Sequence, residues 1–321
     1  MTGEKVIVTE TISAEGLAIL RGEVEVVYLP ELPGRTLADE IEEAEAIAVR
    51  VAKIGRDLLE RARKLKVIAK HGVGYDNIDV ETATQKRIVV VSTPQANAES
   101  VAEHNLGLML SLAKKICVSD RVLREDRLRR REDYIGTEIK DKKLGLVGLG
   151  RIGAELAGKC QLAFNMDVIA YDPYVSKERA EQLGCTKVDQ LDEVLREADY
   201  VVICVPLTKE TAGLIGAREL ALMKANAFLV NSSRGGIVDE AALYDHLLKG
   251  KIAGAAMDVF VTEPPPADHP LLKLDNFIAT PHIAGMTAEA MRRMAVTVAE
   301  EILRVLRGER PKYPINPEVY A

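Results

Sequence analysis

A glycine-rich loop lies near the middle of the 321-residue chain, at Gly148-Leu149-Gly150-Arg151-Ile152-Gly153. The apolar run before it predicts a buried strand, and the run from Ile152 to Leu162 predicts a helix. This strand–loop–helix order is typical of a dinucleotide site, because N–H groups at the start of the helix can bind phosphates. Asp172 follows the loop by nineteen residues and ends the next strand. A carboxylate there can accept hydrogen bonds from ribose hydroxyls and repels a 2′-phosphate, which favours NAD over NADP. The glycines would also suit a tight turn without a ligand.

Strand-like and helix-like runs alternate on both sides of this loop, which predicts parallel sheets covered by helices on both faces. The predicted strands are Val6–Thr9, Val24–Tyr28, Ala46–Val51, Val67–Lys70, Ile88–Val91, Lys143–Val147, Asp167–Tyr171, Tyr200–Val205, Ala227–Val230, Gly254–Val259 and Phe277–Thr280. The predicted helices outside the loop are Ala14–Arg21, Leu37–Ala44, Arg56–Leu65, Ala98–Cys117 and Ala288–Leu306, with Thr287 as the N-cap of the last.

The position of the loop divides the chain into two α/β domains, each a doubly wound parallel sheet. Residues 1–97 plus 288–321 are predicted to form a substrate domain, and residues 98–287 a cofactor domain. The helix Ala98–Cys117 is expected to cross from the first to the second, and the helix after Thr287 to return. Because open α/β sheets bind ligands at the carboxyl ends of their strands, the active site is expected in a cleft between the domains.

Composition and charge exclude several classes of partner. The formal net charge of −6 argues against nucleic acid, and the basic run Arg121–Arg131 is interleaved with acids, which predicts a solvated helix face. No apolar run approaches the roughly 20 residues of a membrane span, so no membrane partner is expected. The residues before the first strand do not resemble a signal peptide, and the four dispersed cysteines predict reduced thiols with no metal site. A cytoplasmic location is therefore expected.

Three side chains near the ends of predicted strands could carry chemistry. Arg234 could bind a carboxylate with two parallel hydrogen bonds, or could be an exposed arginine in a turn. His282 could exchange a proton, although a lone histidine is more often structural. Glu263, in a proline-rich loop, could hold one tautomer of such an imidazole, or could be an ordinary surface residue. His246 and His269 are expected at the surface.

Several segments together resemble the D-isomer-specific 2-hydroxyacid dehydrogenase family, in its order and over nearly the whole chain. They are His71–Asp79, Gly145–Gly153, Asn231–Glu240, Ala256–Phe260, Glu263-Pro264 and Pro281–Gly285. The resemblance implies a flavodoxin-like substrate domain, a Rossmann cofactor domain, NAD as the cofactor, and hydride transfer between nicotinamide and C2 of a D-2-hydroxyacid. It also implies a homodimer formed through the cofactor domain, for which the crossing helix and the Arg121–Arg131 arm are a plausible interface.

The resemblance assigns roles by position. Arg234, Glu263 and His282 would be catalytic: Arg234 would bind the substrate carboxylate, and His282 would exchange the proton with Glu263 as its partner. The cofactor would contact Gly148, Gly150, Arg151, Ile152, Asp172, Cys204, Pro206, Ser233, Asp258, His282 and Gly285. The substrate would contact Arg50, His71, the N–H groups of Val73 and Gly74, Arg234 and His282. Cys204 stands where the family often has histidine, which should alter the fit of the cofactor more than the chemistry.

Within the family, the likeness is greatest to D-3-phosphoglycerate dehydrogenases. Ala46-Ile47-Ala48-Val49-Arg50 matches the segment in which those enzymes place a basic residue near the substrate. Arg50, Lys53 and Lys70 could form a phosphate-accepting patch, unless Lys53 is solvated and Lys70 points away. A glyoxylate or hydroxypyruvate reductase is the nearest alternative. An NAD-sensing interaction protein resembling the C-terminal-binding co-repressors is the alternative from another class.

Overall fold

The computed structural model describes residues 3–128 and 130–321, which form two compact units. The first unit contains the residues up to Asn97 together with Met286–Ala321, and the second contains Ala98–Gly285. Among the described residues, every helix is too short or too polar to cross a membrane.

The helices and strands follow one another in a regular alternation. The first unit begins with β1 (Lys5–Val8), α1 (Ala14–Arg21), β2 (Glu25–Tyr28), α2 (Leu37–Glu40), β3 (Ala46–Val49), α3 (Arg56–Arg61), β4 (Val67–Lys70), α4 (Val80–Gln85) and β5 (Val89–Val91). The second unit contains α5 (Ala98–Ala113), α6 (Ile116–Arg124), β6 (Lys143–Val147), α7 (Arg151–Phe164), β7 (Asp167–Tyr171), α8 (Lys177–Gln182), β8 (Thr186–Val188), α9 (Leu191–Glu197), β9 (Tyr200–Ile203), α10 (Ala217–Leu222), β10 (Phe228–Asn231), α11 (Glu240–Leu248), β11 (Gly254–Met257) and β12 (Phe277–Ala279). The chain then returns to the first unit with α12 (Ala288–Leu306).

The first unit is a five-stranded parallel sheet with the order β2-β1-β3-β4-β5. This is the flavodoxin-like order. Alternate residues of each strand enter opposite cores, because successive side chains of a strand point to opposite faces. On β3, Ala46 and Ala48 pack with α1 and α12, whereas Ile47 and Val49 pack with α3 and α4.

The second unit is a seven-stranded parallel sheet with the order β12-β11-β10-β9-β6-β7-β8. Counted from β6, its first six strands have the Rossmann order, and β12 adds a seventh at one edge. Two cores cover its faces: Leu144 and Leu146 of β6 lie in one, and Val147 lies in the other. The predicted fold class, two doubly wound α/β sheets, is confirmed.

Two local predictions differ from the structure. The helix predicted over Ala98–Cys117 is interrupted, because Lys115 adopts a left-handed conformation (φ 55°) and α6 begins anew after it. The basic run follows α6 only to Arg124 before the chain turns, and Arg129 of that run lies outside the described residues. The predicted N-cap of the last helix is confirmed, since the Thr287 hydroxyl accepts a hydrogen bond from Ala290 N–H at 3.2 Å.

Candidate active site

The glycine-rich loop connects β6 to α7, and two of its three glycines are required by close contacts. Gly148 has φ +97°, and a Cβ there would lie 2.7 Å from the carbonyl oxygen of Cys204. A Cβ on Gly153 would lie 2.5 Å from the carbonyl oxygen of Gly148. Gly150 is the N-cap of α7 and has open space at its Cβ position, so a ligand can approach its backbone. Exposed Arg151 and half-buried Ile152 begin the helix.

Asp172 directly follows β7, beside this loop. Its Oδ2 accepts a hydrogen bond from Leu149 N–H at 2.8 Å, and its Oδ1 accepts from Tyr174 N–H at 2.8 Å and Val175 N–H at 3.2 Å. The carboxylate therefore fixes the glycine-rich loop and the turn after β7, which the sequence did not indicate. A carboxylate has about four lone-pair sites, so acceptor capacity remains for ribose hydroxyls.

The predicted cofactor residues Cys204 and Pro206 follow β9, the strand next to β6. Cys204 N–H donates to the carbonyl oxygen of Val147 at 2.7 Å, and burial raises the pKa of the Cys204 thiol to about 12. Pro206 is exposed, and its carbonyl oxygen accepts from the Thr211 hydroxyl at 2.6 Å. The thiol stays protonated near neutral pH, so this position presents a neutral group.

Arg234 lies in a turn just after β10, which its neighbours hold in place. The buried Asn231 side chain donates to the carbonyl oxygen of Arg234 at 2.9 Å and accepts from Ser233 N–H at 3.0 Å. The Ser233 hydroxyl donates to the carbonyl oxygen of Ile203 at 2.8 Å. A Cβ on Gly235 would lie 2.0 Å from the carbonyl oxygen of Phe260, so only glycine allows this turn to pack on the loop that carries Glu263.

Glu263 and His282 form the hydrogen-bonded pair that the resemblance implied. His282 Nδ1 lies 2.7 Å from Glu263 Oε2, and the second carboxylate oxygen accepts from Phe260 N–H at 3.0 Å. Burial tends to raise the pKa of Glu263, but the hydrogen bonds from His282 and Phe260 and the nearby charge of Arg234 outweigh it and lower that pKa. The carboxylate is therefore ionised at neutral pH, and His282 Nε2 is the ring nitrogen left for a ligand.

Asp258, just after β11, fixes the loop on which His282 stands. Its carboxylate accepts hydrogen bonds from the Thr280 hydroxyl at 2.6 Å, from Ile283 N–H at 2.9 Å and from Ala284 N–H at 2.8 Å. Its carbonyl oxygen accepts from His282 N–H at 2.7 Å, which stabilises the left-handed backbone of His282 (φ 55°). The carboxylate of Asp258 is fully buried, and its hydrogen bonds hold this loop in position.

Two further residues of this region, His104 and Thr280, were not assigned to the site by the sequence. His104 of α5 lies with its Nε2 3.1 Å from Thr280 Oγ1 and 3.7 Å from Asp258 Oδ1. Half-buried Gly285, a predicted cofactor residue, ends the same loop and the second unit. Only the fold brings α5 against β12, so no local signal in the sequence marks this contact.

The remaining histidine predictions have different outcomes. His246 is 6% exposed, with its Nδ1 2.8 Å from the carbonyl oxygen of Ala242, so the prediction of a surface position is wrong. His269 is half-buried, and its Nε2 lies 3.2 Å from Glu240 Oε2. In the described residues, the second unit thus pairs His269 with Glu240 and His282 with Glu263. The second ring nitrogen of His269 is buried, whereas His282 is about half exposed and follows β12 at the carboxyl edge of the sheet.

In the first unit, the predicted substrate residues follow β3 and β4. Half-buried Arg50 comes directly after β3, and His71 comes directly after β4 and is 2% exposed. Burial and the charge of Arg50 lower the pKa of His71 to about 4, and a nearby backbone group of Met291 offsets only part of this effect. Within residues 3–128 and 130–321, the N–H groups of Val73 and Gly74 donate no hydrogen bond, so both are available to an anion.

The proposed phosphate patch is only partly supported. Lys53 is exposed, which fits both a phosphate ligand and the alternative of a solvated side chain. Lys70, however, is 8% exposed, and its ammonium group donates to the carbonyl oxygen of Arg50 and to Asn77 Oδ1. Lys70 therefore supports the Arg50 loop from within the protein.

Comparisons with known proteins agree with this geometry. A sequence profile of the NAD-binding domain of D-isomer-specific 2-hydroxyacid dehydrogenases matches residues 106–284, more than half of the chain. The chain belongs to this family. D-3-phosphoglycerate dehydrogenases from Archaeoglobus fulgidus and Methanocaldococcus jannaschii are both 45% identical to it over 97% of its length. The chain spans only 59% of the length of each.

Other proteins match this chain over nearly its whole length. A glyoxylate reductase from Thermococcus litoralis is 39% identical, over 98% of this chain and 97% of the relative. A Thermus thermophilus protein of known crystal structure has a TM-score of 0.87 and 35% identity, over 97% of this chain and 99% of that one. A D-lactate dehydrogenase from Aquifex aeolicus, solved with NAD and lactic acid, has a TM-score of 0.83 and 29% identity, over 97% of this chain and 99% of that one.

Proposed function

We propose that this chain is an NAD-dependent dehydrogenase of D-2-hydroxyacids, with D-3-phosphoglycerate as its preferred substrate. The hydrogen-bonded Glu263–His282 pair, beside the Arg234 turn, is the observation that carries the proposal. An acid–base group and a cation thus lie at the same edge of one sheet. Oxidation of a hydroxy acid requires both, the first for the hydroxyl proton and the second for the carboxylate. The 45% identity to two D-3-phosphoglycerate dehydrogenases supports the choice of substrate.

The roles follow from the atoms that are available. Because the Glu263 carboxylate can accept only from a protonated Nδ1, the neutral His282 ring has a lone pair on Nε2. During oxidation this nitrogen takes the proton of the C2 hydroxyl, and during reduction it returns that proton to the carbonyl oxygen. The Arg234 guanidinium binds the carboxylate of the substrate, and the N–H groups of Val73 and Gly74 are proposed as further donors to it.

The residues of the second unit suit NAD, which when bound supplies the hydride acceptor for C2 of the hydroxy acid. Gly148 and Gly153 pack where any Cβ would clash, and the backbone at Gly150 is open to a pyrophosphate. Arg151 and Ile152 would line the phosphate site, Asp172 the ribose, and Cys204, Pro206, Ser233 and Gly285 the rest of the cofactor. We propose that Asp258 serves the cofactor region by fixing the loop of residues 280–284, since its carboxylate is fully buried.

A glyoxylate or hydroxypyruvate reductase is the second candidate, and one specific observation favours it. The Thermococcus litoralis glyoxylate reductase aligns over 97% of its own length, whereas the phosphoglycerate dehydrogenases extend well beyond the match. The two candidates differ at the tail of the substrate, where Arg50 and His71 would act. Arg50 would supply a positive charge there. A phosphate tail needs such a charge, whereas glyoxylate has no tail and does not need it.

Turnover with a panel of 2-keto acids and NADH tests the proposal, with binding of NADH measured in parallel. His282→Ala should lower kcat by roughly 10²–10⁴-fold while NADH affinity is retained, because a positioned acid–base group contributes about that much. His246→Ala is the control, since the ring of His246 bonds to the carbonyl oxygen of Ala242 in its own helix. Turnover of His282→Ala near the wild-type rate would refute the mechanism. Binding of NADH without reduction of any keto acid would favour a sensing protein.

We further propose that two copies associate through α6 of the cofactor domain. Ile116 and Leu123 of α6 are exposed, as are Leu128 and Ile135 in the segment after it, and the exposed fraction of Leu123 is 63%. A groove of about 310 Å³ beside them is lined by Ser119, Leu123, Leu128, Arg131 and Tyr134. Analytical ultracentrifugation of wild type and Leu123→Asp tests this: the wild type should sediment as a dimer and the variant as a monomer, and a monomeric wild type would contradict it.

A cytoplasmic location is also part of the proposal. All four cysteines are free thiols in the described residues, and burial raises the pKa of Cys160 to about 12 and that of Cys185 to about 11. Free thiols are typical of reducing compartments. Localisation of a tagged chain in cells would test it.

A further inference from the structure

Three neighbouring strands of the first unit end at a network of hydrogen bonds around the Arg50 loop, residues 50–52. We infer that Glu10 is a positioning residue for recognition of the substrate's anionic tail: its carboxylate fixes this loop and so determines where the Arg50 side chain stands. The inference rests on the proposed function, because it concerns the tail of the same substrate.

Glu10 follows β1, the strand beside β3. Its Oε2 accepts a hydrogen bond from Arg50 N–H at 2.7 Å, and its Oε1 accepts from Val51 N–H at 3.0 Å and from Ala52 N–H at 2.6 Å. Three successive N–H groups directed at one point form a concave anion site. Here that site is filled by a carboxylate of the chain itself.

The opposite side of the Arg50 loop is held through its carbonyl groups. The buried Lys70 ammonium donates to the carbonyl oxygen of Arg50 and to Asn77 Oδ1, at 2.7 Å for the latter. The Asn77 amide in turn donates to the carbonyl oxygen of Ala52 at 2.7 Å. Asn77 lies in the same segment between β4 and α4 as Val73 and Gly74, so the network joins the Arg50 loop to the segment that carries the two available N–H groups.

This arrangement determines how a phosphate can be recognised. The backbone N–H groups of residues 50–52 are occupied by Glu10, so a phosphate tail cannot use them. Side chains are left for the tail, above all the guanidinium of Arg50, whose charge also reaches His71 and lowers the pKa of that ring. An arginine binds phosphate well only when its backbone is fixed, because a misplaced guanidinium loses its hydrogen bonds to the phosphate oxygens. Glu10 supplies that fixation without touching the substrate.

The experiment compares 3-phosphohydroxypyruvate with hydroxypyruvate, which lacks only the phosphate, in wild type, Glu10→Gln and Asn77→Ala. The readout is the ratio of kcat/KM for the two keto acids. We expect this ratio to fall about tenfold in each variant, through KM for the phosphorylated substrate, because a hydrogen bond to a charged group is worth about that much. The kcat for both keto acids and the affinity for NADH should stay near their wild-type values.

Asp39→Asn is the matched control, since Asp39 also accepts a backbone N–H, that of Thr36, at 2.8 Å in the same unit. It should leave the ratio unchanged. An unchanged ratio in folded Glu10→Gln and Asn77→Ala overturns the inference, and Asn77→Ala alone decides if Glu10→Gln does not fold. A wild type that reduces both keto acids equally well overturns the inference and leaves the dehydrogenase intact. A wild type that reduces neither overturns the proposed function as well.

Discussion

Glu263 allows a quantitative test of the catalytic pair through the substitution Glu263→Gln. In the structure, its two carboxylate oxygens serve two donors separately, His282 Nδ1 at 2.7 Å and Phe260 N–H at 3.0 Å. Glutamine has one carbonyl oxygen, so one of these donors must lose its acceptor. A hydrogen bond to a charged group is worth about 1.5–3 kcal/mol. Because the side chains of Glu263 and His282 are 37% and 47% exposed, water competes and the lower figure applies.

A loss of about 1.5 kcal/mol from the transition state corresponds to a roughly tenfold lower kcat/KM at neutral pH. The assay is the pH dependence of kcat/KM for reduction of a 2-keto acid. Because the glutamine cannot ionise, the loss of kcat/KM toward acidic pH that protonation of Glu263 causes should be absent from the profile of the variant. An unchanged rate and an unchanged profile in the folded variant would refute the reasoning.

Glu240→Gln is the matched control for this experiment. Glu240 also pairs with a histidine, since its Oε2 lies 3.2 Å from His269 Nε2, and it also accepts a backbone hydrogen bond, from Val261 N–H at 2.7 Å. The substitution should therefore cost similar stability but leave the pH profile in place. A change of equal size in both variants would show that the effect is structural.

Three other predictions concern stability and cofactor choice. Because the pKa of His71 is 6.5 in the unfolded chain and about 4 in the folded one, the first unit should lose stability as the pH falls through that interval, by about 2 kcal/mol at pH 5. Hydrogen exchange of the five-stranded sheet should show this loss of stability in the wild type and not in His71→Leu. The same pH dependence in wild type and variant would contradict the prediction. Gly235→Ala, which places Cβ 2.0 Å from the Phe260 carbonyl oxygen, should cost about 1–3 kcal/mol and lower Tm, whereas Gly158→Ala, with open space, should not. Asp172→Ala should relax the preference for NAD over NADP; an unchanged ratio of kcat/KM would remove Asp172 from the ribose site.

Much of the fold could be predicted because its signals are local. Strands Val67–Lys70 and Asp167–Tyr171 and helices Ala14–Arg21 and Ala288–Leu306 lie where hydrophobic pattern and capping residues place them. The short strand β8, by contrast, is not apparent from the sequence, since Thr186–Val188 has only three residues and no apolar run. The break at Lys115 was missed for a similar reason: nothing in the residue type requires a left-handed backbone there.

The candidate catalytic residues could also be found, because parallel strands deliver their following loops to one edge of the sheet. Arg234, Glu263 and His282 each follow such a strand, so their types and places in the chain sufficed to nominate them. The pairing of Glu263 with His282 at 2.7 Å could only be expected from the resemblance. The packing of the Arg234 turn on the loop that carries Glu263 depends on Gly235, because a Cβ there would meet the Phe260 carbonyl oxygen.

The sequence by itself determined the class of the fold, the position of the glycine-rich loop and the residues able to do chemistry, because each depends on neighbours along the chain. Only the tertiary structure decided how polar groups are shared between elements. It assigned the Asp258 carboxylate to the His282 loop, the Lys70 ammonium to the carbonyl oxygen of Arg50, and the Glu10 carboxylate to three N–H groups about forty residues away. A buried charged group takes whichever partner the folded chain brings to it, and that partner is rarely a neighbour in sequence.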